Sequence, residues 1–121
     1  MITEYYDSGN VLSQIHYVDG VQDGVCRFYY DFGAWPLMSE VQYTKGKMNG
    51  NMKVYYENGR LQQEGNYKYV EGQTYSEKDG IWKSYYETGE LQDEIEYQNG
   101  KTINYKRYDP NGKAIQNMEG C

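Results

Sequence analysis

The sequence predicts an all-β protein in which tandem β-hairpin repeats form one elongated, twisted antiparallel sheet. Three observations predict it. A short phrase around a glycine recurs five times, as "YYDSGNV" from Tyr5, "YYDFGAW" from Tyr29, "YYENGRL" from Tyr55, "YYETGEL" from Tyr85 and "YDPNGKA" from Tyr108. The residues between the phrases alternate with period two, as strands do, and no segment carries the 3.6-residue period of a helix.

The phrases place their glycines at Gly9, Gly33, Gly59, Gly89 and Gly112, at intervals of 24, 26, 30 and 23 residues. A period in this range marks a repeat architecture. One domain therefore spans residues 1–121, in units of approximately 1–24, 25–50, 51–80, 81–103 and 104–121. Further glycines keep step at Gly20, Gly46, Gly72 and Gly100, and a third set at Gly24, Gly50 and Gly80 precedes the next strand, so one unit reads turn, strand, turn, strand. After that third glycine, Cys26, Phe28 and Tyr30 alternate with Val25, Arg27 and Tyr29. Met52, Val54 and Tyr56 alternate with Asn51, Lys53 and Tyr55, and Trp82, Ser84 and Tyr86 with Ile81, Lys83 and Tyr85. Beyond the turn, Leu61, Gln63, Gly65 and Tyr67 face away from Gln62, Glu64 and Asn66, and Leu91, Asp93, Ile95 and Tyr97 face away from Gln92, Glu94 and Glu96. The count is nine or ten short strands.

The residue before each phrase glycine selects the turn. Asn58 suits a type I′ turn, which needs positive φ at both central positions, but Ser8, Phe32 and Thr88 at the equivalent place do not. A type I turn closed by a left-handed glycine accommodates all of them, with Glu57 where Pro110 stands in the last unit, a position that favours proline. The glycines are thus backbone requirements, since none opens a helix after a strand as a phosphate-cradling loop does.

The pattern G-x-W/M-x-x-YY-x-x-G-x-L…Y-x-x-G resembles MORN-type repeats, and the form written by "YYENGRL" and "YYETGEL" is similar to the YwqK-type antitoxin family. The resemblance covers nearly the whole chain and is strongest from Gly50 to Gly100. It departs at Trp35-Pro36, in the expanded stretch Lys68 to Asp79, and at Arg107, where the second tyrosine of the pair is missing. It implies hairpin repeats for the fold and, for the function, neutralisation of a toxin; MORN-type repeats elsewhere imply scaffolds and lipid contacts.

Composition agrees with a thin molecule. Hydrophobic residues are 38% of the chain, and they include 16 tyrosines, which are stable half in water. Such a chain suits a single-layer sheet whose units each contact their neighbours; a sandwich or barrel is the alternative. "MITEYYDSGN" has neither a basic start nor an apolar run, and nothing approaches the roughly 18 apolar residues of a membrane span. With Cys26 and Cys121 far apart in sequence, two reduced thiols in a cytoplasmic protein are expected.

Catalysis finds little support. His16 is the single histidine and takes an outward repeat position, no Cys/His cluster has metal-ligand spacing, and no serine sits in a nucleophile elbow. Glu40, Glu64 and Glu94 recur at one repeat position, opposite Arg27, Lys53 and Lys83 on partner strands. Cross-strand pairs of opposite charge stabilise by roughly 0.2 to 1 kcal/mol each, which accounts for these residues without acid–base chemistry. No enzyme activity, metal, cofactor or small-molecule substrate is expected.

A binding function is expected instead. The second tyrosines Tyr30, Tyr56 and Tyr86 form one row and Tyr29, Tyr55 and Tyr85 the opposite one, first for packing and second as an aromatic surface. With 18 acidic against 12 basic residues, nucleic acid and anionic membranes are repelled, whereas a basic protein is attracted. Specificity should come from what the repeat does not share: Trp35 in the insertion, Tyr69, Tyr75, Glu77 and Asp79 in the expanded connection, and Glu87, Asp93 and Glu96 in the acidic run. Together with the resemblance, this points to an antitoxin or immunity protein that covers the active or substrate surface of a basic toxin, with a MORN-type scaffold as the alternative.

Overall fold

The computed structural model describes residues 1–33 and 36–117, and over these the chain forms ten strands and no helix. They are β1 (Ile2–Tyr5), β2 (Val11–Val18), β3 (Val21–Tyr29), β4 (Leu37–Thr44), β5 (Lys47–Tyr55), β6 (Leu61–Lys68), β7 (Glu77–Tyr85), β8 (Leu91–Gln98), β9 (Lys101–Tyr108) and β10 (Ala114–Asn117). All lie in one sheet in sequential order, β1 to β10, each antiparallel to the next. The expected single layer is what forms. Its accessible surface of 7702 Å² exceeds the roughly 6,800 Å² of a compact globule of this mass, as a sheet without a covering layer requires.

In such a meander the connections alternate between two rims. Rim A joins β1 to β2, β3 to β4, β5 to β6, β7 to β8 and β9 to β10. In the β5–β6 turn the Gly59 amide donates to the Tyr56 carbonyl at 2.9 Å and the Tyr56 amide to the Arg60 carbonyl at 2.8 Å. Gly59 has φ +88° and Gly89 +105°. This is the expected type I turn closed by a left-handed glycine. The fifth turn repeats the pattern with Asp109, whose carbonyl accepts from Gly112 at 2.9 Å. Asp109, not Arg107, therefore stands in place of the missing second tyrosine.

Rim B is built differently. Asp19-Gly20, Lys45-Gly46 and Asn99-Gly100 all have positive φ at both central residues, which is the two-residue type I′ hairpin. Between β6 and β7 a longer connection, residues 69–76, replaces it. Glu77 and Asp79 lie in β7 rather than in that connection. Gly24, Gly50 and Gly80 also correct the sequence reading: they lie inside β3, β5 and β7, and the unit boundaries drawn after them fall within strands. Each sits opposite a tyrosine, Gly24 with Tyr43, Gly50 with Tyr67 and Gly80 with Tyr97, beside a register shift that absorbs extra residues. They are bulge glycines.

One face of the sheet carries the core. Ile15, Cys26, Val41, Met52 and Gly65 follow one another in register, and the row continues through Trp82, Ile95 and Tyr105. Cys26, Val11 and Ser13 are less than 2% exposed and Trp82 3%. Burial pushes the Cys26 thiol up from its ordinary range. Gly65 stands where Ile15, Val41 and Ile95 stand in other units, because a β-carbon there would lie 2.1 Å from the Trp82 ring. The large ring and the missing side chain compensate each other's volume.

The opposite face carries the charge row. Arg27, Glu40, Lys53, Glu64, Lys83, Glu94 and Lys106 pair in unbroken register across seven strands. The Arg27 Nε–Glu40 Oε2 pair closes at 2.8 Å. Regular register thus places alternating sign along the sheet, as the repeat positions predict.

Candidate functional site

At rim A the first four phrases are each tied to the next by a side chain. The second tyrosine of each phrase donates its hydroxyl to the backbone carbonyl of the first tyrosine one unit on: Tyr6 to Tyr29 at 2.6 Å, Tyr30 to Tyr55 at 2.6 Å, Tyr56 to Tyr85 at 2.5 Å and Tyr86 to Tyr108 at 2.7 Å. A strand lets neighbouring residues point to opposite faces, so one tyrosine of each pair is free to bridge while the other packs elsewhere. Tyr29 reaches Gln14 Oε1 at 2.8 Å and Tyr85 reaches Glu64 Oε1 at 3.2 Å, on the face of the charge row. Asp109 caps its own turn instead, its Oδ1 accepting from the amides of Asn111 and Lys113.

Neighbouring turns interact beyond the tyrosines. Ser8 Oγ and Asn10 Nδ2 both donate to Asp31 Oδ1, at 2.5 and 3.1 Å, and close the first gap along the rim. Between the third and fourth turns, Asn58 Nδ2 donates to the Glu87 carbonyl at 3.0 Å and Arg60 Nη1 to the carbonyls of Glu87 and Thr88. Beside these lies a cleft of about 300 Å³ lined by Tyr30, Tyr56, Glu57, Asn58 and Glu87. Burial, and then the Glu57 carboxylate, raise the Tyr30 hydroxyl above its ordinary range. Rim A carries Asp7, Asp31, Glu57, Glu87, Glu90 and Asp109 against Arg60 and Lys113, so its field is acidic.

The residues singled out from the sequence do not form one patch. Trp35 lies outside the described residues. Glu87 is exposed at rim A. At rim B, Tyr75 is 79% exposed, whereas Tyr69 is half-buried and its amide donates to Asn49 Oδ1 at 3.4 Å. The connection bearing them is tied to β5, Lys47 Nζ donating to the Thr74 carbonyl at 3.1 Å and Ser76 Oγ to that of Met48 at 2.6 Å. Glu77 is half-buried, accepts from Gln73 Nε2 at 3.4 Å and packs against Gly100, and Asp79 sits opposite Asn66. Asp93 and Glu96 fall on opposite faces of β8. Asp93 points to the core face, accepts from the Tyr105 hydroxyl at 3.1 Å and lies 3.4 Å from Arg107 Nε. Glu96 shares the other face with Ile81, Glu94, Asn104 and Lys106. The acidic run is one segment in sequence and two surfaces in space.

Sequence reasoning missed the cleft residues Tyr30, Tyr56, Glu57 and Asn58 as a site. The signal was present: the residue after each tyrosine pair is Asp7, Asp31, Glu57 or Glu87, so the rim repeats a carboxylate as faithfully as a glycine. Among the described residues no group of three or more His, Cys, Asp or Glu is placed to hold a metal. Rim A thus combines tyrosines whose hydroxyls are held by backbone carbonyls with an excess of carboxylates.

A family model described as MORN repeat variant matches residues 2–19, 48–69 and 78–99, together just over half of the chain. Each matched segment covers one rim-A hairpin to within a residue: β1–β2, β5–β6 or β7–β8. No curated protein and no solved structure matches the chain.

Proposed function

The chain belongs to the MORN repeat variant family, whose repeats suggest a scaffold for protein or membrane association, and beyond that membership we propose that it is an antitoxin or immunity protein. It acts in the cytoplasm without catalysis, by laying its acidic rim over the active or substrate surface of a basic toxin. The observation that carries this reading is the uneven placement of charge. The sheet face neutralises itself in the row from Arg27 to Lys106, while rim A keeps its carboxylates in excess. Charge held in this way steers encounter with a cationic protein and disfavours anionic lipid and nucleic acid. The YwqK-type character of "YYENGRL" and "YYETGEL" supports the toxin as the kind of partner.

The test is genetic and then physical. The product of the gene directly upstream is expressed alone and with this chain. Growth arrest that the chain relieves, with a complex recovered by gel filtration, is the expected result. An upstream product that is harmless, or whose toxicity the chain leaves untouched, refutes the antitoxin reading. Co-sedimentation with anionic vesicles in its place makes the chain a membrane-associating MORN protein.

A further inference from the structure

We infer that the rim-A cleft lined by Tyr30, Tyr56, Glu57, Asn58 and Glu87 is a binding site for an arginine side chain of a protein partner. The inference rests on the preceding reading for the partner's being a basic protein, and on the cleft itself for the chemistry. Its tyrosine walls are fixed in advance, because the hydroxyls of Tyr30 and Tyr56 are held by the carbonyls of Tyr55 and Tyr85 at 2.6 and 2.5 Å. A ring that cannot turn loses little entropy when a ligand arrives.

The carboxylates are available. Neither Glu57 nor Glu87 has an ion pair within 4.0 Å among the described residues. The nearest guanidinium, that of Arg60, is occupied by the backbone carbonyls of Glu87 and Thr88 rather than by a carboxylate. The first gap along the rim differs, since Ser8 and Asn10 already satisfy Asp31 there.

A cation over a tyrosine face gains from the ring quadrupole, and a flanking carboxylate adds a charge-assisted hydrogen bond. The protein uses the same chemistry internally, where Lys78 Nζ stands 4.8 Å from the centre of the Trp82 ring and 5.4 Å from that of Tyr97. Arginine fits better than lysine because its planar guanidinium stacks on a ring while its edge forks toward oxygen acceptors. The Asn58 side-chain amide, donating to the Glu87 carbonyl at 3.0 Å, holds the two turns that form the walls.

The experiment is an amide NMR titration of the full chain with a Gly-Gly-Arg-Gly-Gly peptide and with its citrulline analogue, which keeps the shape and removes the charge. Saturable shifts confined to Tyr30–Asp31, Tyr56–Gly59 and Glu87–Gly89 are expected with arginine and not with citrulline. The double variant Glu57→Gln/Glu87→Gln, checked for fold by circular dichroism, should bind about tenfold more weakly. Glu71→Gln on rim B should leave binding unchanged. Equal response to citrulline, shifts spread over both rims, no shifts, or full affinity in the double variant overturns the site. If the arginine peptide binds as expected while the upstream product is not neutralised, the site stands and the antitoxin reading falls; the reverse result separates them the other way.

Discussion

The two rims of this sheet solve the same problem, reversing a strand, by different means. At four of its five connections rim A uses a three-residue loop closed by a glycine, and a tyrosine hydroxyl ties each of the first four phrases to the next. Rim B uses two-residue turns without a tyrosine tie, although the Gly46 amide donates to the Gln22 carbonyl of the preceding hairpin at 2.7 Å, and at one place it replaces the turn with residues 69–76. The rim-A ties recur from phrase to phrase, whereas the rim-B contacts differ from one connection to the next, Gly46 reaching Gln22 in one and Lys47 and Ser76 joining β5 to residues 69–76 in another. Rim A therefore carries the repeated tyrosine ties and a regular row of carboxylates, and rim B carries the longer connection that presents Tyr75.

A substitution between the rims sets the reference for the comparison. Gly65→Ala drives a β-carbon into the Trp82 ring, which is also held by its indole N–H donating to the Asn66 carbonyl at 3.0 Å. Overpacking there should cost about 3 kcal/mol in denaturant unfolding, and Gly65→Ala/Trp82→Leu should recover part of it. Without that recovery, steric conflict is not the reason for the glycine.

On rim A, Gly59→Val should destabilise by about 2 kcal/mol through a β-branched residue at φ +88°, where a side chain meets nothing within 4 Å and the backbone alone is strained. Glu57→Ala in the same turn should be nearly silent in melting. Equal effects of the two would remove the turn assignment.

Tyr56→Phe breaks the link between two units and should cost about 1 kcal/mol. The comparison is sharpened if unfolding also becomes less cooperative, because the units are joined by nearest-neighbour terms. Ser76→Ala, which removes the anchor of the rim-B connection to Met48, should leave cooperativity intact.

Tyr30 gives a pH-dependent version of the same test. Its hydroxyl is raised from 10.0 in the folded chain by burial and then by Glu57. A raised acid loses its proton in the unfolded chain first, so its contribution is complete below about pH 10 and declines as pH rises through the folded value. The melting temperature should fall above that pH, and Tyr30→Phe should make the fall shallower.

The smallest effect belongs to rim B. Lys45 holds φ +50° in a type I′ turn, a conformation that asparagine tolerates better. Lys45→Asn should stabilise by about 0.5 kcal/mol, since the left-handed region costs ordinary residues of order 1 kcal/mol. A destabilised variant would show that the Lys45 side chain has a part in rim B that the turn geometry does not reveal.

Local chemistry made much of this legible in advance. The class, the strand alternation from Val25 to Tyr30 and from Leu91 to Tyr97, the rim-A turn type and the charge row all follow from period two and from the φ that glycine alone adopts freely. The rim-B turns were legible too, in Asp19-Gly20 and Asn99-Gly100, although the third glycine set read as strand starts rather than as bulges. The placement of the residues singled out for a partner was less legible. Asp93 and Glu96 share one acidic run, yet parity separates them and only the Tyr105 and Arg107 contacts show that Asp93 serves the fold.

The sequence by itself determined that this chain repeats, that its repeats are hairpins, and that opposite charges meet across them. These depend on period-two alternation, on the recurrence of one phrase along the chain and on backbone angles that side chains permit or forbid. Only the tertiary structure decided that Gly65 is a glycine on account of Trp82, that the second tyrosine is an inter-unit tie, and that Tyr30, Tyr56, Glu57, Asn58 and Glu87 share one cleft. Those facts join residues of different units, 29 positions apart in the Tyr56–Tyr85 tie and drawn from three successive phrases in the cleft, and which atoms meet at such separations is set by how adjacent hairpins stack.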